Sequence, residues 1–146
     1  MTRHVTNIAA FVTAADVSGD LITRSYCGMV AIELVLKEAM GLSDHNVPAA
    51  LNHFANKFAV GHLYGCKARL NAIATQLSNA IGAISVQGID GKPRAAPTAS
   101  YPYIRYTRHV VDGWAAPSTT ADQAQALSDA VMNARAYLKQ KFGKPL

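Results

Sequence analysis

Residues 20–41 are the stretch that most constrains the fold of this 146-residue chain. Drawn as a helix, this stretch carries apolar residues on nearly every side, and Gly41 follows it as a typical stop signal. Such a helix must be surrounded by other helices or lie in a membrane. Arg24, Glu33 and Lys37 argue against a membrane, because each charge at bilayer depth costs about 2.5–3.5 kcal/mol. We therefore predict the central helix of a bundle, with Glu33 and Lys37 spaced to pair and no membrane-spanning segment.

Four further helices are predicted by apolar periodicity and by capping residues. They span about residues 3–17, residues 47–58, residues 62–81 with a stop at Gly82, and the stretch from Thr120 to Gly143. Asn46 can cap the third helix, with Pro48 in its first turn. Thr120 and Gln123 have the spacing of a capping box. The predicted fold is all-α: an up-and-down bundle of about five helices that forms one domain, residues 1–146.

The connection between the last two helices, residues 83–119, has a different composition and contains four of the six prolines. Short apolar runs at 84–86 and 103–106 can form brief strands, and Asp90-Gly91 can turn a hairpin between them. We expect any strand to lie within 83–106. A connection of this length is uncommon inside a compact domain, so we expect it to be functional or packed on the bundle.

Charge is unevenly distributed along the chain. The formal net charge is +5 and the isoelectric point is about 9.4, and across residues 51–111 the only acidic residue is Asp90. This pattern permits an acidic partner such as RNA, although charge alone does not identify one.

The remaining composition excludes several classes of protein. The two cysteines, Cys27 and Cys66, are too few for a disulfide framework or a zinc pattern, and we expect buried free thiols. No two histidines have the spacing of a metal site, so we predict neither a metal nor another cofactor. The first residues lack a basic segment followed by an apolar core, so we expect a cytoplasmic protein.

The candidate functional residues lie mainly in the long connection. Arg105 and His109 are one helical turn apart if that segment is helical, and arginine suits phosphate while histidine suits proton transfer near neutral pH. Arg108 adds charge, and Tyr103 and Tyr106 can stack on bases. The same residues also fit a solvated basic loop whose rings anchor it to the bundle.

Arg24, beside Tyr26 at the start of the central helix, is a further candidate for contact with RNA or a nucleotide. An ordinary capping or packing role is the alternative for both residues. Lys57 and His62 form a second basic pair, interrupted by Gly61.

Two segments resemble the HEPN (higher eukaryotes and prokaryotes nucleotide-binding) superfamily of helical domains. The first, residues 25–42, is similar to the family's second helix with its alanine-rich A-x-E-x-x-x-K segment, and the His45-Asn46-Val47 run resembles the short helix that follows. The second is Ile104-Arg-Tyr-Thr-Arg-His109, followed by Trp114 and the threonine-capped last helix. The resemblance covers most of the chain. It implies a helical bundle that often forms a homodimer, and many members are metal-independent ribonucleases of toxin or defence type.

The family's catalytic signature is an arginine and a later histidine with four to six residues between them, and this chain differs from it. Arg105 and His109 have three residues between them, and Lys57 and His62 lack the arginine. Two hypotheses are therefore retained. In the first, the protein binds RNA or a nucleotide, with His109 as the base and Arg105 as the phosphate ligand if it cleaves RNA. In the second, it is a catalytically inactive interaction module that acts with a separately encoded partner, such as an antitoxin or a nucleotidyltransferase.

Overall fold

A computed structural model describes residues 3–41, 46–88, 93–95, 114–118 and 120–146. This part of the chain contains five α-helices, one 3₁₀ turn and three short strands. In chain order they are α1 (Arg3–Val17), α2 (Leu21–Met40), α3 (Val47–Phe58), the 3₁₀ turn (Gly61–Leu63), α4 (Cys66–Ala83), β1 (Ser85–Gly88), β2 (Pro93–Ala95), β3 (Trp114–Ser118) and α5 (Ala121–Phe142). The predicted up-and-down helical bundle is confirmed. None of the described helices is both long and apolar enough to cross a lipid bilayer.

Helix α2 is the most buried helix of the bundle, as its apolar surface predicts. It packs against α1, α3 and α5, while α4 completes the ring by packing against α3 and α5. Its buried residues include Tyr26, Cys27, Met29 and Val35. Because these side chains lie on several sides of the helix, no single neighbour could cover them.

Both ends of α2 are capped in the expected way. The Asp20 carboxylate accepts hydrogen bonds from the backbone N–H of Thr23 over 2.9 Å and from its hydroxyl over 2.6 Å. These bonds lower the pKa of Asp20, since they favour the ionised form. Gly41 adopts the left-handed conformation, with φ 72°, and its N–H donates to the carbonyl of Lys37 over 2.7 Å.

The capping predictions for α3 and α5 are also confirmed. The Asn46 side chain accepts from the N–H of Ala49 over 3.1 Å. Thr120 and Gln123 form the full capping box, each side chain accepting from the other residue's backbone N–H. Helix α5 ends at Gly143, which has φ 65°.

The start and end of α4 differ from the prediction of one helix over residues 62–81. Gly61 has φ 58°, which favours glycine, and the chain makes a 3₁₀ turn before α4 begins at Cys66. At the other end, Gly82 lies inside the helix instead of stopping it. Gly82 itself is exposed, but Ile84, just beyond the helix, is buried. The packing of this end of α4 against the core therefore outweighs the weak helix propensity of glycine.

The strands form one antiparallel sheet in the order β2-β1-β3. β1 pairs antiparallel with β2, with Val86 opposite Arg94, and the two strands lie on either side of the proposed turn at Asp90-Gly91. β2 was not among the predicted strand runs, and the turn residues 89–92 and the run 103–106 lie outside the described residues. The expectation that strands end by residue 106 is wrong. β3 spans Trp114–Ser118 and pairs with the other edge of β1. Each strand has two edges, and the edge of β1 that β2 does not occupy can pair with a segment that is distant in the sequence.

Candidate anion-binding surface

One part of the bundle carries no described carboxylate. All six carboxylates lie on α1, α2 and α5 or at the cap of α2, and they are Asp16, Asp20, Glu33, Glu38, Asp122 and Asp129. Between Asn46 and Ile89 the sequence has no aspartate or glutamate. Helices α3 and α4 and the 3₁₀ turn between them therefore carry only positive ionisable groups and histidines.

A shallow groove opens on this carboxylate-free part of the chain, where the 3₁₀ turn meets α4. Its volume is about 340 Å³, and it is lined by Tyr64, Gly65, Lys67, Ala68 and Asn71. Tyr64 is 69% exposed, which is unusual for a large aromatic side chain in a well-packed bundle. We call these five residues the turn groove.

The backbone at the turn groove also favours negative charge. The residue preceding α4, Gly65, has no side chain that could cap the helix. The N–H of Lys67 donates to the carbonyl of Tyr64 over 3.2 Å, so the preceding turn satisfies part of this helix end. The positive end of the dipole of the 18-residue helix lies here, and Lys67, in its first turn, adds a full charge beside it. A phosphate group is the kind of ligand that such a site accommodates.

Other basic residues flank the turn groove. Lys57, in the last turn of α3, is exposed, and its Nζ lies 5.4 Å from the centroid of the Phe58 ring. His62, in the 3₁₀ turn, and Arg69, in α4, are also exposed. Arg69 lies on the side of α4 that faces α5, where its charge acts on Tyr137.

Tyr137 and Cys66 form a polar contact between α5 and the start of α4. The pKa of Tyr137 is raised to about 12, chiefly by burial and also by the hydrogen-bonding Cys66 thiol, while the positive charge of Arg69 acts to lower it. Both cysteines are free thiols; Cys27 is buried, as expected, whereas Cys66 is only half-buried.

A second concave site lies between α2 and α3. It is a cavity of about 120 Å³ lined by Glu33, Leu36, Lys37, Met40, Ala49, Ala50 and His53. Glu33 is 9% exposed, Lys37 is half-buried and His53 is exposed. The cavity thus combines apolar walls with a buried acid and two basic groups nearer the surface. We call it the α2/α3 cavity.

Of the six predicted site residues, the structure describes only Arg24. Its Nε donates to the carbonyl oxygen of Ala15 over 3.2 Å, which fastens the end of α1 to the start of α2. The nearby Tyr26 is buried in the core. Tyr103, Arg105, Tyr106, Arg108 and His109 lie outside the described residues, so their assignment stays a prediction.

Sequence reasoning did not select the turn groove as a site. The signal was present, because the absence of acidic residues through α3 and α4 can be counted in the sequence. The exposure of Tyr64 could not be predicted, because the sequence predicted a continuous helix from residue 62 and Tyr64 instead lies at a turn before α4. The α2/α3 cavity was missed because it is formed by residues from two helices.

Among the described residues, no three histidine, cysteine, aspartate or glutamate side chains are grouped closely enough to hold a metal ion. Comparison of the chain with protein-family models, with curated proteins and with solved structures finds no match.

Proposed function

We propose that this protein binds RNA or a nucleotide, with phosphate groups held at the turn groove and along the basic connection before α5. The observation that supports the proposal most directly is the presence of an exposed Tyr64 and Lys67 in one groove, within a stretch of chain that carries no carboxylate. Single-stranded nucleic acids are bound by this combination of an aromatic platform and a cationic surface.

The charge distribution supports the same proposal. A polyanion approaching α3 and α4 meets Lys57, Lys67 and Arg69 without a neighbouring carboxylate in the same stretch of chain. Elsewhere, two acids serve the fold: Asp16 pairs with Arg135 and Asp20 caps α2. The cations of α3 and α4 are therefore not offset by acids in the same stretch of chain, and they can attract phosphates before any specific contact forms.

The resemblance to HEPN domains adds a proposal about chemistry. In it, Arg105 and Arg108 hold phosphate, Tyr103 or Tyr106 stacks on a base, and His109 is the base that activates the 2′-hydroxyl if RNA is cleaved. In this proposal Arg24, in the first turn of α2, makes only an additional contact with the RNA or nucleotide, because its Nε already donates to the carbonyl oxygen of Ala15. The homodimer expected from the same resemblance belongs to this proposal.

Binding of a labelled single-stranded RNA, measured between 50 and 200 mM salt, tests the binding part. Affinity should fall steeply with salt, because each neutralised phosphate releases counterions. Tyr64→Ala should weaken binding by about 1–3 kcal/mol if a base stacks there, whereas Tyr64→Phe should bind like the wild type. Binding that is independent of salt and of Tyr64 would exclude the turn groove as the site.

Two further measurements test the residues of the connection. Unchanged RNA binding in the Arg105→Ala/Arg108→Ala double variant would remove those arginines from the site. RNA cleavage by the purified protein in the presence of a chelator, lost in His109→Ala, would support a metal-independent ribonuclease. No cleavage by the wild type, together with intact binding, would leave the protein a binding module.

The alternative is an inactive module that works through protein contacts, and one observation favours it. Val60 and Tyr64 are 55% and 69% exposed on either side of the 3₁₀ turn, so an apolar contact surface is present at the same place. A stable one-to-one complex with a separately encoded partner such as an antitoxin, with no affinity for RNA, would support this alternative over the first proposal.

A further inference from the structure

A second groove lies between α3 and α4, beside the start of α3 and the second half of α4. Its volume is about 290 Å³, and it is lined by Asn46, Pro48, Ala49, Asn52, Ala74, Thr75, Ser78 and Asn79. None of these described residues is ionisable, and five of them carry an amide or a hydroxyl group, so the groove offers uncharged hydrogen-bonding partners. We call these eight residues the polar groove.

We infer that the polar groove binds the edge of an unpaired adenine in the RNA strand that the turn groove holds. This inference rests on the proposed function and adds to it a preference for one base. Phosphate contacts position a nucleic acid on a protein but carry no sequence information, whereas hydrogen bonds to base edges do. Uncharged amides therefore have a different task from the lysine in the turn groove.

The two grooves share α4 and follow the same side of it. Lys67 and Asn71 line the turn groove, Thr75 and Ser78 line the polar groove, and successive members of this series are three or four residues apart. At the rise of an α-helix, the centres of the two sets lie about 12 Å apart along α4. Since stacked nucleotides are about 3.4 Å apart along a strand, a few nucleotides reach from one groove to the other.

Asn52, on α3, and Asn79, on α4, supply the groups that can bind a base. Both are exposed, and neither side chain makes a hydrogen bond to another described residue. The third asparagine of the polar groove, Asn46, is already used, because its side chain accepts from the N–H of Ala49. The amides of Asn52 and Asn79 can therefore bind a ligand without breaking a contact within the described part of the protein.

The chemistry of these amides favours adenine. An asparagine side chain presents a donor and an acceptor side by side. Adenine matches that pair on two edges, with its N6 amino group beside N1 and again beside N7, whereas cytosine and uracil match it only at their Watson–Crick edges. The Hoogsteen edge of guanine has two acceptors, for which a cation is the better partner, and the described residues of the polar groove include none.

The same match requires a single strand. In an RNA duplex the N1 edge of adenine is paired, and the N7 edge lies in a deep, narrow groove that side chains cannot enter. An unpaired base exposes both edges. The stacking proposed at Tyr64 requires an unpaired base as well, so both grooves select the same form of RNA.

The test compares the affinity of the full chain for three RNA octamers at one salt concentration. The first is all uridine, the second has one adenosine near its centre, and the third has purine riboside there, which keeps the rings of adenine but lacks its amino group. The adenosine octamer should bind at least fivefold more tightly than either of the others, as expected for one bidentate contact. Purine riboside separates this contact from stacking, because both purines stack.

Variants connect the preference to the polar groove. Asn52→Ala/Asn79→Ala should reduce the preference for the adenosine octamer to less than twofold and should bind the uridine octamer like the wild type. Tyr64→Ala should weaken all three octamers and keep the preference. The matched control is Asn7→Ala/Asn133→Ala, which removes two exposed asparagines from α1 and α5 and should also keep it.

The outcomes separate this inference from the proposed function. Salt-dependent binding of all three octamers with equal affinity would overturn the inference and leave RNA binding at the turn groove standing. A preference that purine riboside reproduces, or that survives in Asn52→Ala/Asn79→Ala, would also overturn it. Absence of binding by every octamer would overturn the proposed function and this inference together. Should the double variant not fold, the comparison of adenosine with purine riboside on the wild type decides the outcome.

Discussion

The guanidinium of Arg135 donates from its Nη2 to the Asp16 carboxylate over 3.0 Å and so joins α5 to α1 across 119 positions of sequence. The same Nη2 donates to the backbone oxygen of Leu146 over 2.8 Å, which folds the residues after α5 back onto the bundle. Arg135 is 4% exposed, whereas the Asp16 side chain is 53% exposed. The buried guanidinium of Arg135 therefore needs the Asp16 carboxylate to compensate its charge, whereas the exposed carboxylate of Asp16 can be solvated by water.

This asymmetry predicts that removing the acid is costly. Asp16→Asn should lower the free energy of unfolding by about 1–3 kcal/mol, because a buried charge then loses its compensating partner. Asp129→Asn, on the exposed side of α5, removes the same charge and should change the free energy by less than about 0.5 kcal/mol. Urea denaturation at pH 7 measures both. Equal effects of the two substitutions would show that the ion pair does not stabilise the fold.

The contact between α2 and α5 depends on Gly28. A Cβ at this position would lie 2.5 Å from Cγ1 of Val131. Gly28→Ala should therefore destabilise the protein by about 1–3 kcal/mol despite the better helix propensity of alanine. A second substitution, Val131→Ala, should remove part of this penalty by vacating the clashing position.

Gly82 is the matched control for Gly28, since it also lies in a helix but has open space where a Cβ would be. Gly82→Ala should stabilise the protein by about 0.5–1 kcal/mol through helix propensity. Thermal unfolding of the two single variants compares them directly. A loss of stability in both would mean that helix packing is not what distinguishes the two positions.

The caps of α2 and α5 should differ in their dependence on pH. Asp20→Ala should cost about 1 kcal/mol at pH 7, as loss of an N-cap usually does. The pKa of Asp20 is lowered from the ordinary value of 3.8, so its contribution is present above that value and is lost as pH falls through the lower, folded-state pKa. The cost of Asp20→Ala should therefore shrink between pH 5 and pH 2.

Thr120→Ala removes a neutral cap of α5 and should cost a similar amount that does not change over this pH range. Denaturant titrations of both variants at several pH values test the pair. If the two costs change with pH in parallel, the ionisation of Asp20 is not the cause.

The raised pKa of Tyr137 predicts that the folded protein loses stability in alkali. Its folded-state pKa of about 12 lies above the ordinary value of 10.0, so the folded protein holds the phenolic proton more tightly than the unfolded chain does. The associated stability is complete below pH 10 and is lost as pH rises towards 12. Tyr137→Phe should lessen this alkaline loss, whereas Tyr64→Phe, at an exposed ring, should leave it unchanged. Equal alkaline curves for Tyr137→Phe and the wild type would contradict the assignment.

The sequence predicted the helices well where local signals and packing agree. Asn46 and Thr120 cap the helices as predicted, and Gly41 and Gly143 end theirs, because capping depends on neighbours within a few residues. Prediction was wrong at Gly82 and for β3, where the outcome depends on segments that are distant in the chain. Periodicity alone gives no information about which distant segment will pair.

The candidate site was predicted only in part, and for the same reason. The excess of positive charge in the middle of the chain is a property of composition and is visible in the sequence. The grouping of Tyr64 with Lys67 depends on the turn at Gly61, and the meeting of Glu33 with His53 depends on how α2 and α3 pack. Neither arrangement follows from spacing along one helix.

The central claim, that the carboxylate-free surface of α3 and α4 binds a polyanion, is tested most directly by two charge-matched double variants. Lys57→Gln/Lys67→Gln removes two charges at this surface, and Lys139→Gln/Lys141→Gln removes two exposed charges from the end of α5. For a single-stranded RNA, the first variant should lower affinity at least tenfold and reduce the magnitude of the slope of log affinity against log salt by about 1.4. The second should change the affinity less than threefold. Equal losses in both variants would contradict the claim, because net charge alone would then account for the binding.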